Sequence, residues 1–401
     1  MNPDLKRLQP YPFEKLNNLK SAAKMTSEAP PIALSIGEPK HPAPPFALQA
    51  IQDNLAKASS YAATHGMPEL RKAVCDWLTR RFHIPRENLD ASAHIIPVAG
   101  TREALFSFTQ AVIDRHSNPI VISPNPFYQI YEGAAYLAGA EVVFLACDQA
   151  DNFIPNYDKV SEATWQRCQL LFVCSPSNPT GAVTDKETLA KLIALSDKYD
   201  FVIASDECYS EIYCDEANPP VGLLEVCADI GRNDFRNCVV FHSLSKRSNL
   251  PGLRSGFVAG DANLLSQYLA YRTYHGCALP LHHQIASIAC WQDEEHVKEN
   301  RRLYRQKFQQ VLALLQPVMD VHQSEASFYL WAATPLSDER FAQQLYAQEN
   351  VTVLPGSYLS RQVAGENPGT NRVRMALVAP VDECIEAAQR IKRFVQTLTS
   401  G

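Results

Sequence analysis

Two ionisable side chains of this sequence stand directly after short apolar segments, where a strand would end. Lys246 follows the run CVVFHS at 238–243, and Asp206 follows FVIAS at 201–205. A lysine beside an apolar strand can have a lowered pKa and form Schiff bases. A carboxylate at the end of a buried strand needs a partner. Taken alone, each residue also fits an ordinary role, as a solvated lysine or a helix N-cap.

Three further predicted strand ends carry groups that could hold a planar, phosphorylated ligand. Gly100-Thr101-Arg102 opens a predicted helix after HIIPV at 94–98, and such a helix start can bind a phosphate or serve only as a cap. Tyr128, after PIVIS at 119–123, could stack on a ring or be a core aromatic. Asn178-Pro-Thr-Gly181 has the composition of a turn. A lysine, a buried carboxylate, a stacking aromatic and a phosphate-binding helix start are together what pyridoxal phosphate requires.

These groups belong to a region, residues 90–260, in which apolar segments alternate with helical patterns. The segments are continuously apolar, which is typical of strands buried on both faces. The alternation predicts an α/β sandwich with a mostly parallel sheet, and ligands of such sheets bind beyond the carboxyl ends of the strands. The predicted strands are 94–98, 119–123, 141–146, 169–175, 201–205, 238–243 and 255–260, and the helices between them include Thr101–Arg115 and Asp185–Tyr199.

After residue 290 the pattern changes to that of an α+β unit. Residues 292–316 predict one long helix with an apolar face and a charged face. The short strand-like pieces SFYLWA, VTVLPG and RVRMAL follow, and a final helix is predicted near Asp382–Thr397. The sequence therefore predicts a second, smaller unit beside the sheet.

The composition excludes several classes of protein. With 37 basic and 43 acidic residues the formal net charge is −6, which rules out a chain-wide basic surface for nucleic acid. The 11 cysteines contain no C-x-x-C pair and no zinc-like spacing, so we expect neither a metal site nor a disulfide framework. No apolar run approaches the ~20 residues of a membrane-spanning helix, and the N-terminus lacks the apolar region of a signal peptide. We expect a cytoplasmic protein.

The motifs at the strand ends form a recognisable set. Ser243-Leu-Ser245-Lys246 is followed by Gly252-Leu-Arg254-Ser-Gly256, and Asp206-Glu-Cys-Tyr209 and Asn178-Pro-Thr-Gly181 lie upstream. Tyr61 with Gly66 near the N-terminus and Asn371-Arg-Val-Arg374 near the C-terminus complete the set. With these motifs the sequence, from about residue 37 to 376, resembles the class I and II aminotransferases, which are fold-type I pyridoxal phosphate enzymes.

The resemblance implies a fold and an assembly. The fold is a three-layer α/β/α large domain with a mostly parallel seven-stranded sheet, plus a smaller α+β domain built from both chain ends. The implied bounds are 1–45 for the N-terminal part of the small domain, 46–290 for the large cofactor-binding domain and 291–401 for the C-terminal part. The resemblance also implies a homodimer in which Tyr61 and the segment 271–277 reach the partner's site.

The resemblance further implies a role for each motif residue. Lys246 would be the catalytic residue, which holds the cofactor as a Schiff base and moves the proton, and Asp206 would pair with the ring nitrogen. Asn178 and Tyr209 would hydrogen-bond the ring's phenolic oxygen, and Tyr128 would stack on the ring. The phosphate would be bound by Thr101, Arg102, Ser243, Ser245, Arg254 and the partner's copy of Tyr61. The substrate would be bound by Gly37, Lys40, Asn178 and Arg374, with Arg374 on the α-carboxylate.

Several stretches are similar to the members of the family that act on N-succinyl-L,L-diaminopimelate in lysine biosynthesis, among them SIGEPKHPAPP and SKRSNLPGLRSGFVAGD. The resemblance implies a ping-pong exchange with glutamate and 2-oxoglutarate. Lys40 is basic where many relatives are acidic, which suits an additional substrate carboxylate, although it could equally be an exposed loop lysine.

The sequence leaves some other functions open and disfavours others. The cofactor motifs leave open an aminotransferase for aromatic or other amino acids, or a C–S β-lyase of the same fold. A DNA-binding regulator would need a module before residue 37, where we expect no room for one. The G-x-G-x-x-G turn of hydride-transfer enzymes follows no predicted strand.

Overall fold

The computed structural model of the chain describes residues 1–276 and 278–399. Its strands are β1 (Ile32–Ala33), β2 (Ile95–Val98), β3 (Ile120–Asn125), β4 (Glu141–Ala146), β5 (Cys168–Cys174), β6 (Val202–Asp206), β7 (Cys238–Ser243), β8 (Gly256–Gly260), β9 (Tyr329–Ala333), β10 (Val351–Thr352), β11 (Leu354–Pro355) and β12 (Arg372–Ala376). Its helices are α1 (Pro12–Ser21), α2 (Pro45–Asp53), α3 (Pro68–Phe82), α4 (Thr101–Val112), α5 (Ile130–Ala138), α6 (Glu162–Arg167), α7 (Lys186–Tyr199), α8 (Leu223–Asp229), α9 (Leu244–Arg247), α10 (Ala262–His275), α11 (Leu281–Gln292), α12 (Glu295–Leu315), α13 (Asp338–Glu349) and α14 (Val381–Thr399). Within these ranges no helix is both long and apolar enough to cross a membrane.

The central sheet has seven strands in the order β2-β8-β7-β6-β5-β3-β4. β8 runs antiparallel to both of its neighbours, and the other neighbouring pairs are parallel. All seven strands coincide with predicted apolar segments, which confirms the α/β fold with a mostly parallel sheet. The carboxyl ends of β3, β5, β6 and β7 consequently share one edge of the sheet.

The two faces of the sheet are covered by separate helical layers. On one face Val240 of β7 packs in a core with Trp77 of α3 and Leu192 of α7. On the other face its neighbour Phe241 packs in a core with Phe108 of α4. Because successive side chains of a strand point to opposite faces, a strand between two helical layers must be apolar throughout. The three-layer architecture therefore explains the continuous apolar runs in the sequence.

The smaller unit is formed by both ends of the chain. β1 pairs in parallel with β10, and β11, β12 and β9 form a three-stranded antiparallel sheet. The long helix predicted at 292–316 is α12, which buries Phe308 and Leu315 in a core shared with Ile391 of α14. The α+β character of this unit is confirmed, while the domain bounds 1–45, 46–290 and 291–401 stay a prediction.

The segment VTVLPG differs from the single strand that the sequence predicts. It contains β10, which pairs with β1, and β11, which pairs with β12 in a different sheet. Val353 lies between the two strands and is fully buried. The chain therefore changes partner within an unbroken apolar run, and hydrophobicity alone does not mark such a change.

Candidate active site

A cavity of about 420 Å³ opens at the carboxyl ends of β3, β5, β6 and β7. The N-terminal segment and β12 also contribute to its walls. The predicted site residues that line it are Gly37, Thr101, Arg102, Tyr128, Asn178, Asp206, Tyr209, Ser243, Ser245, Lys246, Arg254 and Arg374. Strand ends from the centre of the chain thus meet residues from both chain ends at one cavity.

Lys246 is presented to the cavity by the short helix α9, which begins directly after β7. Ser243 caps this helix, since its Oγ accepts a hydrogen bond of 3.1 Å from the N–H of Ser245. The Lys246 amine donates a hydrogen bond to the carbonyl oxygen of Gly37. Burial lowers the pKa of this amine from an ordinary 10.5 to about 8, and the charge of Arg374 acts in the same direction. At pH 7 about a tenth of the amine is therefore neutral, far more than for a lysine with an ordinary pKa.

Asp206 ends β6 and is buried beneath the cavity. The hydroxyl of Tyr131 donates a hydrogen bond of 2.7 Å to its Oδ2, and the N–H of Cys208 lies 3.3 Å from its Oδ1. Burial raises the pKa of the Asp206 carboxyl, and these two hydrogen bonds oppose the rise. Among the described residues no cationic side chain forms an ion pair with Asp206. The site therefore offers a buried carboxylate that lacks a cation.

Tyr131 is a site residue that the sequence analysis missed. It lies on α5, one residue into the helix, and its ring stacks on Phe172 with 4.4 Å between the centroids. The ring of Tyr128 lies 5.9 Å from the ring of Tyr131 between centroids, but Tyr128 precedes α5, so no helical spacing in the sequence pointed to Tyr131.

The start of α4 forms a cradle with Arg254. Gly100 precedes the helix at φ +90°, and a Cβ built on it would lie only 2.1 Å from Nη2 of Arg254. Both the left-handed conformation and the close approach of the guanidinium require glycine here. The hydroxyls of Ser243 and Ser245 line the same cavity and lie 2.9 Å apart. Helix N–H groups, hydroxyls and a guanidinium suit a bound anion.

Arg102 is held at the cavity wall by two tyrosines. Its Nε donates to the hydroxyl of Tyr128 at 2.8 Å, and its Nη2 donates to the hydroxyl of Tyr11 at 3.2 Å. No carboxylate among the described residues forms an ion pair with it. Tyr11 comes from the N-terminal segment, and the sequence offered no signal for its contribution.

Arg374 lies on β12 with its guanidinium directed at the cavity and almost fully buried. Its Nη1 donates to Oδ1 of Asn178 at 2.8 Å, and its Nη2 donates to the carbonyl of Ser35 at 2.7 Å. The buried Nε has no hydrogen-bond partner in the described part of the chain. An oriented guanidinium without a counterion is suited to a carboxylate ligand.

A pair of tyrosines forms the floor next to Arg374. The hydroxyls of Tyr209 and Tyr329 lie 2.9 Å apart, and Arg374 lies 4.4 Å from the ring centroid of Tyr329. A Cβ on Gly37 would lie 2.0 Å from the Tyr329 hydroxyl, so only glycine allows the N-terminal segment this close. The sequence analysis missed Tyr329, which stood in the predicted strand SFYLWA.

Two predicted site residues do not line this cavity. Tyr61 is fully exposed on the surface of the chain. Lys40 is exposed and forms an ion pair of 2.9 Å with Glu38. In the segment 271–277, Tyr274 is exposed near the end of α10, and Cys277 lies outside the described residues.

Comparison with known proteins gives consistent matches over the whole chain. A family model described as aminotransferase class I and II matches residues 29–391. LL-diaminopimelate aminotransferase of Maridesulfovibrio salexigens is 31% identical over 400 residues, which cover 97% of this chain and 98% of that protein. The crystal structure of an aminotransferase from Neisseria meningitidis is 48% identical and matches 98% of this chain and 100% of its own with a TM-score of 0.93. A probable N-succinyldiaminopimelate aminotransferase from Thermus thermophilus has a TM-score of 0.83 over 95% of this chain and 99% of its own, and at 23% identity it supports the fold alone.

Proposed function

The chain belongs to the family of class I and II aminotransferases, which depend on pyridoxal phosphate, and we propose that it exchanges amino groups between N-succinyl-L,L-diaminopimelate and 2-oxoglutarate. The observation that carries this proposal is a pair of cavity-lining arginines, Arg374 and Arg102, without a carboxylate partner among the described residues. Both substrates carry an α-carboxylate for one arginine and a further carboxylate for the other.

The cavity residues fit the cofactor by their chemistry. The Lys246 amine of lowered pKa suits covalent attachment, and the carboxylate of Asp206 lacks the cation that a protonated ring nitrogen would supply. The cradle of Arg254, Ser243 and the α4 start suits the phosphate. When bound, pyridoxal phosphate supplies the electron sink that makes the Cα–H of an amino acid acidic.

Lys246 is assigned the proton transfer. Its neutral amine accepts the proton from the substrate Cα and later returns it. Burial favours this role, since it lowers the pKa of Lys246 to about 8 and so increases the neutral fraction. The carbonyl of Gly37 accepts a hydrogen bond from the amine and so keeps it within the cavity.

Arg374 is assigned the α-carboxylate. Its bonds to Asn178 and to the carbonyl of Ser35 fix the plane of the guanidinium. A planar, oriented guanidinium binds a carboxylate through two parallel hydrogen bonds, which a lysine could not provide.

Arg102 is assigned the remote carboxylate of the substrate. Its hydrogen bonds to Tyr11 and Tyr128 leave the charge uncompensated at the cavity wall. Lys40 is a weaker candidate for this role, because it is exposed and already paired with Glu38. This assignment departs from the phosphate role that the resemblance implies for Arg102.

A second candidate substrate is LL-diaminopimelate, because the relative of that name is 31% identical over nearly the whole chain. The remote end of LL-diaminopimelate carries one ammonium and one carboxylate. The remote end of the succinylated compound carries two carboxylates and no ammonium. An uncompensated arginine at the cavity wall favours the second arrangement.

A half-reaction panel tests the substrate. The cofactor-loaded enzyme is mixed separately with N-succinyl-L,L-diaminopimelate, LL-diaminopimelate, ornithine, aspartate and tyrosine, and the loss of the cofactor's visible absorption is followed. We expect the fastest loss with the succinylated substrate. Faster loss with any of the other four amino donors, or release of pyruvate when a cysteine conjugate is added in a parallel assay, would contradict the proposal and leave the family unchanged.

Two matched variants identify the cation. Arg102→Gln keeps a hydrogen-bond donor but removes the charge, and should lower the preference for the succinylated over the unsuccinylated substrate. Lys40→Gln should leave that preference unchanged. If Lys40→Gln lowers this preference and Arg102→Gln does not, the remote carboxylate is bound by Lys40 instead.

The homodimer is part of the proposal. Tyr61 and Tyr274 are large aromatic side chains left fully exposed on the single chain, and such groups are common at interfaces. Tyr61 is assigned to the phosphate of the partner subunit. Mixing Lys246→Ala with Tyr61→Phe chains tests this, because a heterodimer would contain one site with both native residues and should regain activity relative to either variant alone.

A further inference from the structure

The residues that follow the catalytic lysine are bonded to the beginning of α12. Arg247 is buried, and its Nη2 donates to Oε1 of Glu294 at 2.7 Å. The hydroxyl of Ser248 lies 2.8 Å from Nε2 of His296. The backbone around Lys246 is therefore anchored on the long helix that leads into the smaller unit.

Asn300 of α12 also takes part in this contact, through both the nitrogen and the oxygen of its side-chain amide. Its Nδ2 lies 3.4 Å from the carbonyl oxygen of Lys246 and 3.5 Å from that of Arg247. Its Oδ1 lies 2.7 Å from Nδ1 of His41 and accepts from Nδ2 of Asn249 at 3.1 Å. Asn300 is almost fully buried, so these contacts are shielded from water.

His41 takes part as a neutral donor. Burial is the main reason that its pKa falls to about 4. The neutral ring has one N–H, and the short contact with the carbonyl end of the Asn300 amide assigns that hydrogen to Nδ1. The ring also packs on Tyr304 with 4.6 Å between the centroids.

His41 ends a segment, residues 35–41, of which Ile36 and Gly37 line the cavity together with Lys246. The carbonyl of Ser35 accepts from Arg374, and the carbonyl of Gly37 accepts from the Lys246 amine. The N–H of Lys40 donates to the carbonyl of Val378 at 3.3 Å. Gly37 of this segment therefore contacts the amine of Lys246, while His41 at its end reaches the Lys246 backbone through Asn300.

We propose that the hydrogen bond between His41 and Asn300 is a latch that holds the segment 35–41 at a fixed distance from Lys246. The latch positions the carbonyls of Gly37 and Ser35, and through Ser35 the guanidinium of Arg374. His41 and Asn300 are positioning residues, and the consequence for turnover rests on the roles proposed above for Lys246 and Arg374. Arg247 and Ser248 still anchor the lysine when the latch is lost, so substrate binding should suffer more than the chemical step.

Two substitutions at His41 separate the hydrogen bond from the packing. His41→Phe keeps a ring against Tyr304 and removes the donor, whereas His41→Asn keeps an amide donor near the place of Nδ1. One net hydrogen bond predicts that His41→Phe raises KM for the amino donor by about three- to tenfold, with kcat changed by less than about twofold. His41→Asn should recover most of the loss. His116→Phe, at an exposed turn, is the matched control.

Hydrogen exchange provides a test that does not depend on activity. In the full-length chain without cofactor, the amide of Lys40 should exchange faster in His41→Phe than in the wild type, the His116→Phe control or His41→Asn. Asn300→Ala should show the same increase, and the double variant His41→Phe/Asn300→Ala should add little to it. If His41→Phe does not fold, Asn300→Ser is compared with the wild type instead.

The outcomes distinguish the latch from the function. Unchanged exchange in His41→Phe, or additive effects in the double variant, would overturn the latch even if the wild type is a fully active aminotransferase. Faster exchange in His41→Phe than in the wild type, together with a wild type that does not use the proposed substrate, would keep the latch and refute the substrate.

Discussion

Replacing Tyr131 by phenylalanine should lower the affinity of the protein for pyridoxal phosphate. The Tyr131 hydroxyl donates a hydrogen bond of 2.7 Å to Oδ2 of Asp206, inside a fully buried environment. The ring stacks on Phe172 at 4.4 Å between centroids, and a phenylalanine keeps this contact. The substitution therefore removes one hydroxyl and leaves the packing in place.

The size of the expected effect on cofactor binding follows from the charge of the hydrogen-bond acceptor, Asp206. A hydrogen bond to an ionised group contributes about 1.5–3 kcal/mol, and one pKa unit corresponds to about 1.4 kcal/mol. The pKa of Asp206, which burial already raises, should therefore rise by a further one to two units, approximately. Only the ionised form of Asp206 can pair with a protonated ring nitrogen. Below the pKa of Asp206, where the carboxyl must ionise when the cofactor binds, the dissociation constant of the cofactor should consequently increase by about ten- to a hundredfold, and well above that pKa the two proteins should bind alike.

The assay is a titration of pyridoxal phosphate onto the cofactor-free protein, followed by visible absorption at several pH values. Since acid protonates Asp206, the affinity of Tyr131→Phe should fall off about one to two pH units higher than that of the wild type. Tyr268→Phe is the matched control, because Tyr268 is buried in the same core but its hydroxyl bonds Ser107, at 2.7 Å. If Tyr131→Phe and the wild type bind the cofactor with equal affinity across the pH range, the Tyr131 hydroxyl does not stabilise the ionised form of Asp206.

Three further substitutions have expected outcomes. Lys246→Ala should abolish turnover with added cofactor in a coupled assay, and full activity would contradict its role. Arg374→Lys cannot reproduce the bonds to both Asn178 and Ser35, so KM for the amino donor should rise about tenfold or more, with little change in the melting temperature. Burial lowers the pKa of Lys307 to about 8, so the unfolded chain binds more protons above that pH, and the free energy of unfolding of the cofactor-free protein should rise from pH 8 to 10. Urea unfolding of Lys307→Met should show this rise reduced by about 1.4 kcal/mol per pH unit, and an unchanged slope would mean that Lys307 titrates normally.

The large sheet could be predicted because its strands are buried on both faces, so each strand is an apolar run whatever its neighbours are. The direction of each strand could not be predicted in this way, because parallel and antiparallel strands in such a sheet have the same composition. β7 ends at Ser243 and β8 begins at Gly256, so residues 244–255, which include the helix α9, connect them. A parallel return needs a crossover of about a dozen residues or more, usually with a helix that packs on the sheet. The connection from β7 to β8 reaches that length, so neither its length nor the composition of β8 reveals the antiparallel pairing that the structure contains.

The candidate site could be predicted where function resides in motifs at strand ends. Lys246, Asp206 and Asn178 follow neighbouring strands, and topology alone brings them together. Tyr131 and Tyr329 could not be found in this way, because each acts through a contact between two elements that are distant in the chain. Such contacts depend on how helices and sheets pack, which a single sequence does not encode in any local pattern.

The charge of the cavity differs in sign from that of the chain, and this difference bears on how ligands are held. The chain has a formal net charge of −6, yet the described residues that line the cavity include four cationic side chains and one carboxylate, Asp206. Cations gathered at one cavity repel one another and lose part of their hydration, which is unfavourable unless anions bind among them. An anionic cofactor relieves that cost, and the dicarboxylic substrates proposed above would relieve it further. The same reasoning explains why Arg102 and Arg374 remain without internal carboxylate partners, because a permanent ion pair would compete with the ligand for each guanidinium.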